Sequence, residues 1–198
     1  MKDVTRAILV TGTPGVGKTS VAHKLASKMD AVCVGVTELV KKKKLFSSVD
    51  KERQTLIADT EKVSEQLQEI LAKTECTVII EGHYAVDVAP KDYVNVVFVL
   101  RRDPRELEVV LEKRCYPEKK IWENIAAEIL DVCLWDALSA YGSNKVCEID
   151  VSSKTVEAVV EEMILVLDNG KECRQGMVDW LAKLESDGQL EEYLKKMG

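Results

Sequence analysis

Eight consecutive residues, Gly12-Thr13-Pro14-Gly15-Val16-Gly17-Lys18-Thr19, fit the pattern G-x-x-x-x-G-K-[ST] at every constrained position. Residue types in that order can hold a triphosphate. Backbone N–H groups of such a turn point inward at an anion, and the glycines let the main chain approach it. Gly12, Pro14, Gly15, Val16, Gly17 and Ser20 would line the cradle for ATP. Lys18 would reach the β- and γ-phosphates, and the Thr19 hydroxyl would sit on Mg2+. The context also fits. Ala7-Ile8-Leu9-Val10 precedes the turn as an apolar run, and a helical pattern follows it, giving the strand, turn and helix N-terminus that a phosphate site needs.

Other charged residues fall at the ends of apolar runs. Glu81 follows Thr77-Val78-Ile79-Ile80 as a magnesium-holding acid would, and His83 lies two residues on. There it can face the γ-phosphate and orient a water or hydroxyl. Arg101 and Arg102 follow the run Val94 to Leu100. They are adjacent and cannot both point the same way, so one is expected over the adenine and the other on phosphate. Arg114 comes seven residues after Leu107, on the apolar face of its helix, and reads as a phosphate-facing lid arginine. Lys41 to Lys44 is either a solvated run, a dock for a second nucleotide's phosphate at Lys41, or a contact with RNA. A carboxylate, an imidazole and several cations gathered with a lysine suit phosphoryl transfer, because developing charge on the moving oxygens needs cations.

Five apolar strands alternating with helices must position these groups. The strands are expected at 6–11, 31–36, 77–80, 94–100 and 146–151, with helices at 17–29, 51–73, 104–114, 118–141 and 156–167. Thr37 is expected to cap a short helix before a loop at 45–48. Asp103 reads as an N-cap with Pro104 at the first helical position and Glu106 closing a capping box. Continuous apolar strands alternating with helices imply an α/β fold whose parallel sheet is covered on both faces. In such a sheet the ligand lies beyond the carboxyl ends of the strands. Residues 1–168 are expected to form this domain, with 169–198 a helical extension.

Composition narrows the function further. The chain has 198 residues, is 46% hydrophobic and 31% charged, and carries a net charge of −6. It suits one domain with a small appendage. No global basic field favours nucleic acid. The apolar run after Met1-Lys2-Asp3-Val4-Thr5-Arg6 is too short for a signal peptide, and no run nears the ~18 apolar residues of a membrane span. The six cysteines show no C-x-x-C pair; several lie inside apolar periodic segments and read as small buried hydrophobes, and a reduced, cytoplasmic protein is expected.

Taken together, G-T-P-G-V-G-K-T, V-T-E-L at 36–39, E-G-H-Y at 81–84, V-F-V-L-R-R-D-P at 97–104 and R-C-Y-P-E-K-K-I-W-E-N-I-A-A-E-I-L at 114–130 resemble the small adenylate kinase/ATPase family. Its members occur in archaea and in the nucleus, where they associate with coilin and serve small ribosomal subunit maturation. The archaeal branch is the more similar. The resemblance covers about residues 6–167. It implies a P-loop nucleoside monophosphate kinase fold with strand order 2-3-1-4-5, an AMP-side segment at about 37–67 and a lid at about 115–120. It implies Mg2+ held by Thr19 and Glu81, and catalysis by Lys18, His83, Arg101 and Arg114. Arg101 and Arg102 would contact ATP, and Thr37, Lys41 and Gly82 would contact AMP. It also implies a partner, the ribosomal protein of the small-subunit platform, with pre-ribosomal RNA nearby. Two other functions remain open: an ATPase with incidental kinase activity, and a nucleotide-gated binding module.

Overall fold

Ala7, Ile8, Leu9 and Val10 are all fully buried, so helices must cover both faces of the strand that holds them. The structure, a computed structural model, describes residues 7–50 and 55–197. Among the described residues seven strands occur in chain order: β1 (Ala7–Thr11), β2 (Val32–Gly35), β3 (Phe46–Asp50), β4 (Thr55–Ala58), β5 (Val78–Glu81), β6 (Val94–Arg101) and β7 (Val146–Asp150). Five of them form a sheet in the order β2-β5-β1-β6-β7, and the pairs are parallel. The numbering departs from the expected 2-3-1-4-5 because β3 and β4 intervene in the chain. Those two strands make a separate antiparallel hairpin, with Val49 opposite Leu56.

The helices are α1 (Lys18–Met29), α2 (Val36–Lys43), α3 (Thr60–Lys73), α4 (Ala85–Val88), α5 (Pro104–Lys113), α6 (Glu118–Ile129), α7 (Val132–Tyr141), α8 (Val156–Leu167), α9 (Trp180–Ser186) and α10 (Leu190–Met197). Strand alternation sorts the core into two layers. Ile8 and Val10 pack with side chains of α1, α5, α6 and α8. Ala7 and Leu9 pack with those of α2, α3, α4 and α7. Both layers hold the carboxyl ends of β1, β5 and β6 along one rim.

Several expectations are corrected. Residues 45–48 are not simply a loop, and the helix expected at 51–73 begins at Thr60, capped by Asp59, whose carboxylate accepts from Lys62 N–H. Its expected start at 51, like the expected strand start at 6 and the N-terminal hexapeptide, lies outside the described residues. Thr37 sits inside α2, and the cap is Gly35. The helix expected at 118–141 is two helices, broken at Asp131, which is left-handed with φ 57°. Asp103 does cap α5, accepting from Arg105 N–H. Glu106, however, takes the Ser153 N–H and hydroxyl at 2.9 Å each instead of closing a capping box. Cys147 and Cys173 are not free thiols but a disulfide across 26 residues, tying β7 to the segment before α9. The same segment pairs its Arg174 carbonyl with Glu148 N–H at 2.9 Å. Among the described residues no helix is long and apolar enough to cross a membrane.

Candidate active site

The turn between β1 and α1 is built on glycine. A Cβ on Gly12, at φ 134°, would lie 2.4 Å from the Leu100 carbonyl oxygen. One on Gly15, at φ 103°, would lie 2.8 Å from a Leu107 methyl. Any larger residue would push the loop off β6 and α5. Lys18 is buried at the start of α1 and folds back, donating to the carbonyls of Gly12 at 2.7 Å and Thr13 at 2.9 Å. Burial lowers its pKa to about 8, against the opposing pull of Cys133, Glu81 and Glu128. A lysine held this way is charged at pH 7, and phosphate oxygens can take the place of its loop carbonyls. Val16 contributes its backbone only, since its side chain is fully buried in the core. Pro14 is half-buried, while Thr19 and Ser20 are exposed at the cleft.

Glu81 ends β5 beside the loop, and the Thr19 hydroxyl donates to its Oε1 at 3.2 Å. Burial raises the Glu81 pKa, while Lys18 and Thr19 hold it down. A hydroxyl and a carboxylate beside a phosphate cradle suit Mg2+, which takes one or two protein oxygens and completes its shell with phosphates and water. Gly35 leaves room for the carboxylate, because a Cβ there would lie 2.9 Å from Glu81 Oε1. Thr19 and Glu81 are therefore the residues that would hold the ion. His83 is exposed, with its ring edge-on to Tyr84 at 4.6 Å. Although its surface is open to solvent, the cleft wall on the ring's inner side desolvates it, and with Lys18 and Lys120 adding to this its pKa is lowered to about 4. Its imidazole is neutral at pH 7 and can accept a proton.

The structure separates the adjacent arginines. Arg101 is 1% exposed and fully engaged. Nε and Nη1 donate to Glu128 at 2.9 Å and Glu148 at 2.6 Å. Nη2 donates to the Glu128 carbonyl at 2.9 Å and to the Asp131 carboxylate. This corrects the expectation that Arg101 contacts ATP or catalyses transfer, since its guanidinium is 1% exposed and each of its three nitrogens is bonded to the protein. It caps the end of α6 instead, which is why the helix breaks at Asp131. Arg102 takes the site position. Its Nη2 lies 3.9 Å from where a Gly17 Cβ would be, and its Nε is buried without a partner. Glu106 steadies it at 3.4 Å. Arg114, the last residue before Cys115-Tyr116-Pro117, is exposed, and its charge is felt at Lys18.

On the acceptor side, burial raises the pKa of Tyr84, the neighbour of His83, and Thr37 nearby offsets part of that rise. Gly82 is buried, and a Cβ there would press on Val36 Cβ at 3.1 Å, so its smallness lets α2 approach β5. Lys41 is exposed in the last turn of α2 and has no ion pair among the described residues. The structure thus brings Lys18, Thr19, Glu81, His83, Arg102 and Arg114 to one rim. It leaves Lys41 outside that group and removes Arg101. One participant went unread in the sequence: Glu128, 1% exposed, accepts from the Thr13 hydroxyl at 2.5 Å. The signal was an acid at an apolar-face position of α6, in step with Ile121 and Ile125.

A parallel five-stranded sheet with a lysine-bearing phosphate loop at its carboxyl edge defines a P-loop kinase fold. A shikimate kinase from Bacteroides thetaiotaomicron shares it, with TM-score 0.58 at 17% identity over 82% of this chain and 98% of that one. A sugar kinase from Janibacter gives TM-score 0.51 at 19% identity over 83% and 95%. Residues 8–131 match the AAA domain family. The chain is 42% identical to a Methanocaldococcus jannaschii protein named "Putative adenylate kinase", over 89% of this chain and 93% of that one. Proteins of the same name from Methanosarcina barkeri and Saccharolobus solfataricus are 38% and 34% identical, over 87% and 93% of this chain and 96% and 92% of theirs. The chain belongs to the family of these archaeal proteins.

Proposed function

We propose that this protein is an adenylate kinase, moving the γ-phosphoryl group of Mg2+-bound ATP to AMP to give two ADP, with a second activity toward water. The observation that carries the proposal is the Thr19–Glu81 pair beside the buried Lys18. Lys18 exchanges its two loop carbonyls for β- and γ-phosphate oxygens. Arg114 meets the charge that develops on the transferred group, and Arg102, with its unpartnered Nε, lies against the nucleotide. Mg2+ supplies charge neutralisation on the phosphates when bound. The segment at about 115–120 serves as a short lid that excludes water from the transfer. The family name carried by the archaeal relatives supports the choice of nucleotide.

The two acceptors make different demands on His83. The phosphate of AMP is already an anion and needs no base, whereas water must lose a proton. His83→Ala is expected to lower phosphate release from ATP alone by about 10²-fold or more. Its effect on ADP formation from ATP and AMP should be smaller. The paired assays also test the function itself: an unmutated protein that makes no ADP from AMP is not an adenylate kinase. Glu81→Gln keeps the shape of the side chain and removes its charge. The Mg2+ concentration for half-maximal turnover is expected to rise by about tenfold or more. An unchanged requirement would remove Glu81 from the metal site.

On the sequence resemblance we extend the proposal to small ribosomal subunit maturation, with a platform ribosomal protein and pre-ribosomal RNA as partners. The exposed Lys41 to Lys44 run supports a polyanion nearby. Repeating the acceptor assays with and without the ribosomal protein tests it, because a true partner should shift the ratio of ADP to released phosphate.

A further inference from the structure

We infer that Glu128 is a positioning residue for the phosphate loop, and that Trp180 of the C-terminal extension acts on the loop through it; this rests on the nucleotide site proposed above. Arg101 faces three carboxylates, of which Glu128 and Glu148 are buried. One guanidinium does not match them all, so the buried oxygens need further donors. Glu128 Oε1 accepts from Arg101 Nε at 2.9 Å, from the Arg102 backbone N–H at 3.0 Å and from Trp180 Nε1 at 3.1 Å. Its other oxygen accepts from the Thr13 hydroxyl at 2.5 Å.

Each of these donors belongs to a different part of the site or its support. Thr13 is the second residue of the phosphate loop, and its carbonyl holds Lys18. Arg102 carries the guanidinium that lies against Gly17. A single carboxylate therefore fixes both walls of the cradle, and a fully satisfied buried network of this kind is rigid. Trp180 begins α9, which is anchored elsewhere by Lys183 to Asp103 at 2.9 Å and by Asp187 to Arg105 at 2.7 Å. Met177 N–H donates to Glu148 at 2.8 Å, completing the other buried carboxylate. The extension supplies two of the donors that keep these acids in place. Its docking is transmitted from Trp180 through Glu128 to Thr13 and Lys18.

Trp180→Phe removes the N–H together with part of the buried indole, so it is read beside Thr13→Val, which removes the other donor to Glu128 at nearly constant volume and so separates positioning from packing. ATP affinity is measured by calorimetric titration, and exchange of the backbone amides of residues 12–19 is followed in the nucleotide-free protein. The expected result is a Kd for ATP raised about 3–10-fold and faster exchange in the loop. Thr13→Val should raise Kd similarly. The double variant should be no worse than the more affected single one, because both act on one relay. Wild-type ATP affinity and unchanged loop exchange in Trp180→Phe would overturn the inference, as would effects that multiply in the double variant. A wild-type protein that binds no ATP would overturn the proposed function instead, and the exchange measurement would still decide the role of Glu128.

Discussion

Lys18→Met is expected to lower turnover by about 10²–10³-fold, the usual loss when one preorganised charge is removed from a transition state. The same substitution should not lower the melting temperature of the nucleotide-free protein. Burial takes the Lys18 pKa down to about 8 from 10.5. Between those values the unfolded chain binds more protons than the folded one, so stability rises with pH across that window. Below pH 8 the cost of the buried ammonium is fully present, at roughly 3 kcal/mol. Methionine fills the same volume without that cost, although two loop carbonyls lose their donor. A thermal melt at pH 7 and again near pH 10 checks the sign: the advantage of Lys18→Met should shrink at the higher pH. Retained turnover would take the lysine out of phosphate transfer. Lost turnover with a large fall in melting temperature would make its role structural. A site that stabilises an incoming anion at the expense of its own resting state is the expected signature of function.

The same division between local and long-range information decides what the sequence could reveal. The loop from Gly12 to Thr19 was legible because its whole pattern of residue types lies within eight consecutive positions. The rim at Glu81, His83 and Arg102 followed from where apolar runs end in a parallel sheet. The hairpin of β3 and β4 was missed because Leu56 and Val63 also fit helical spacing, and pairing across a turn leaves no periodic mark in either strand alone. The break at Asp131 was missed because its cause, the Arg101 guanidinium, is 30 residues away. The disulfide joins cysteines with no local signature. Choosing between Arg101 and Arg102 needed the register of β6 against β7. Neighbouring side chains on a strand take opposite faces, and only the pairing of Val99 with Glu148 shows which face holds the acids. Residue types alone could place a cation at that rim but could not say which of the two would be consumed by the core.

That consumption makes a second large effect. Arg101→Met is expected to destabilise the protein by about 3–5 kcal/mol, because it strands Glu128 and Glu148 as buried charges. For a chain of this size the melting temperature should fall by roughly 6–20 °C. Arg101→Lys keeps a charge but cannot fork to several carboxylates, so it should fall between wild type and Met. The alternative assignment of Arg101, to phosphate, makes the opposite prediction: turnover lost with the melting temperature intact. The two outcomes are separable because the guanidinium is 1% exposed and each of its nitrogens donates to the protein. Replacing Arg101 together with Glu128 and Glu148 by apolar residues of similar volume should recover much of the stability, since a buried charge network contributes little against a well-packed hydrophobic substitute. Such a triple variant would lack the carboxylate on Thr13. Stability restored without ATP affinity would show that this network is kept for the phosphate loop rather than for the fold.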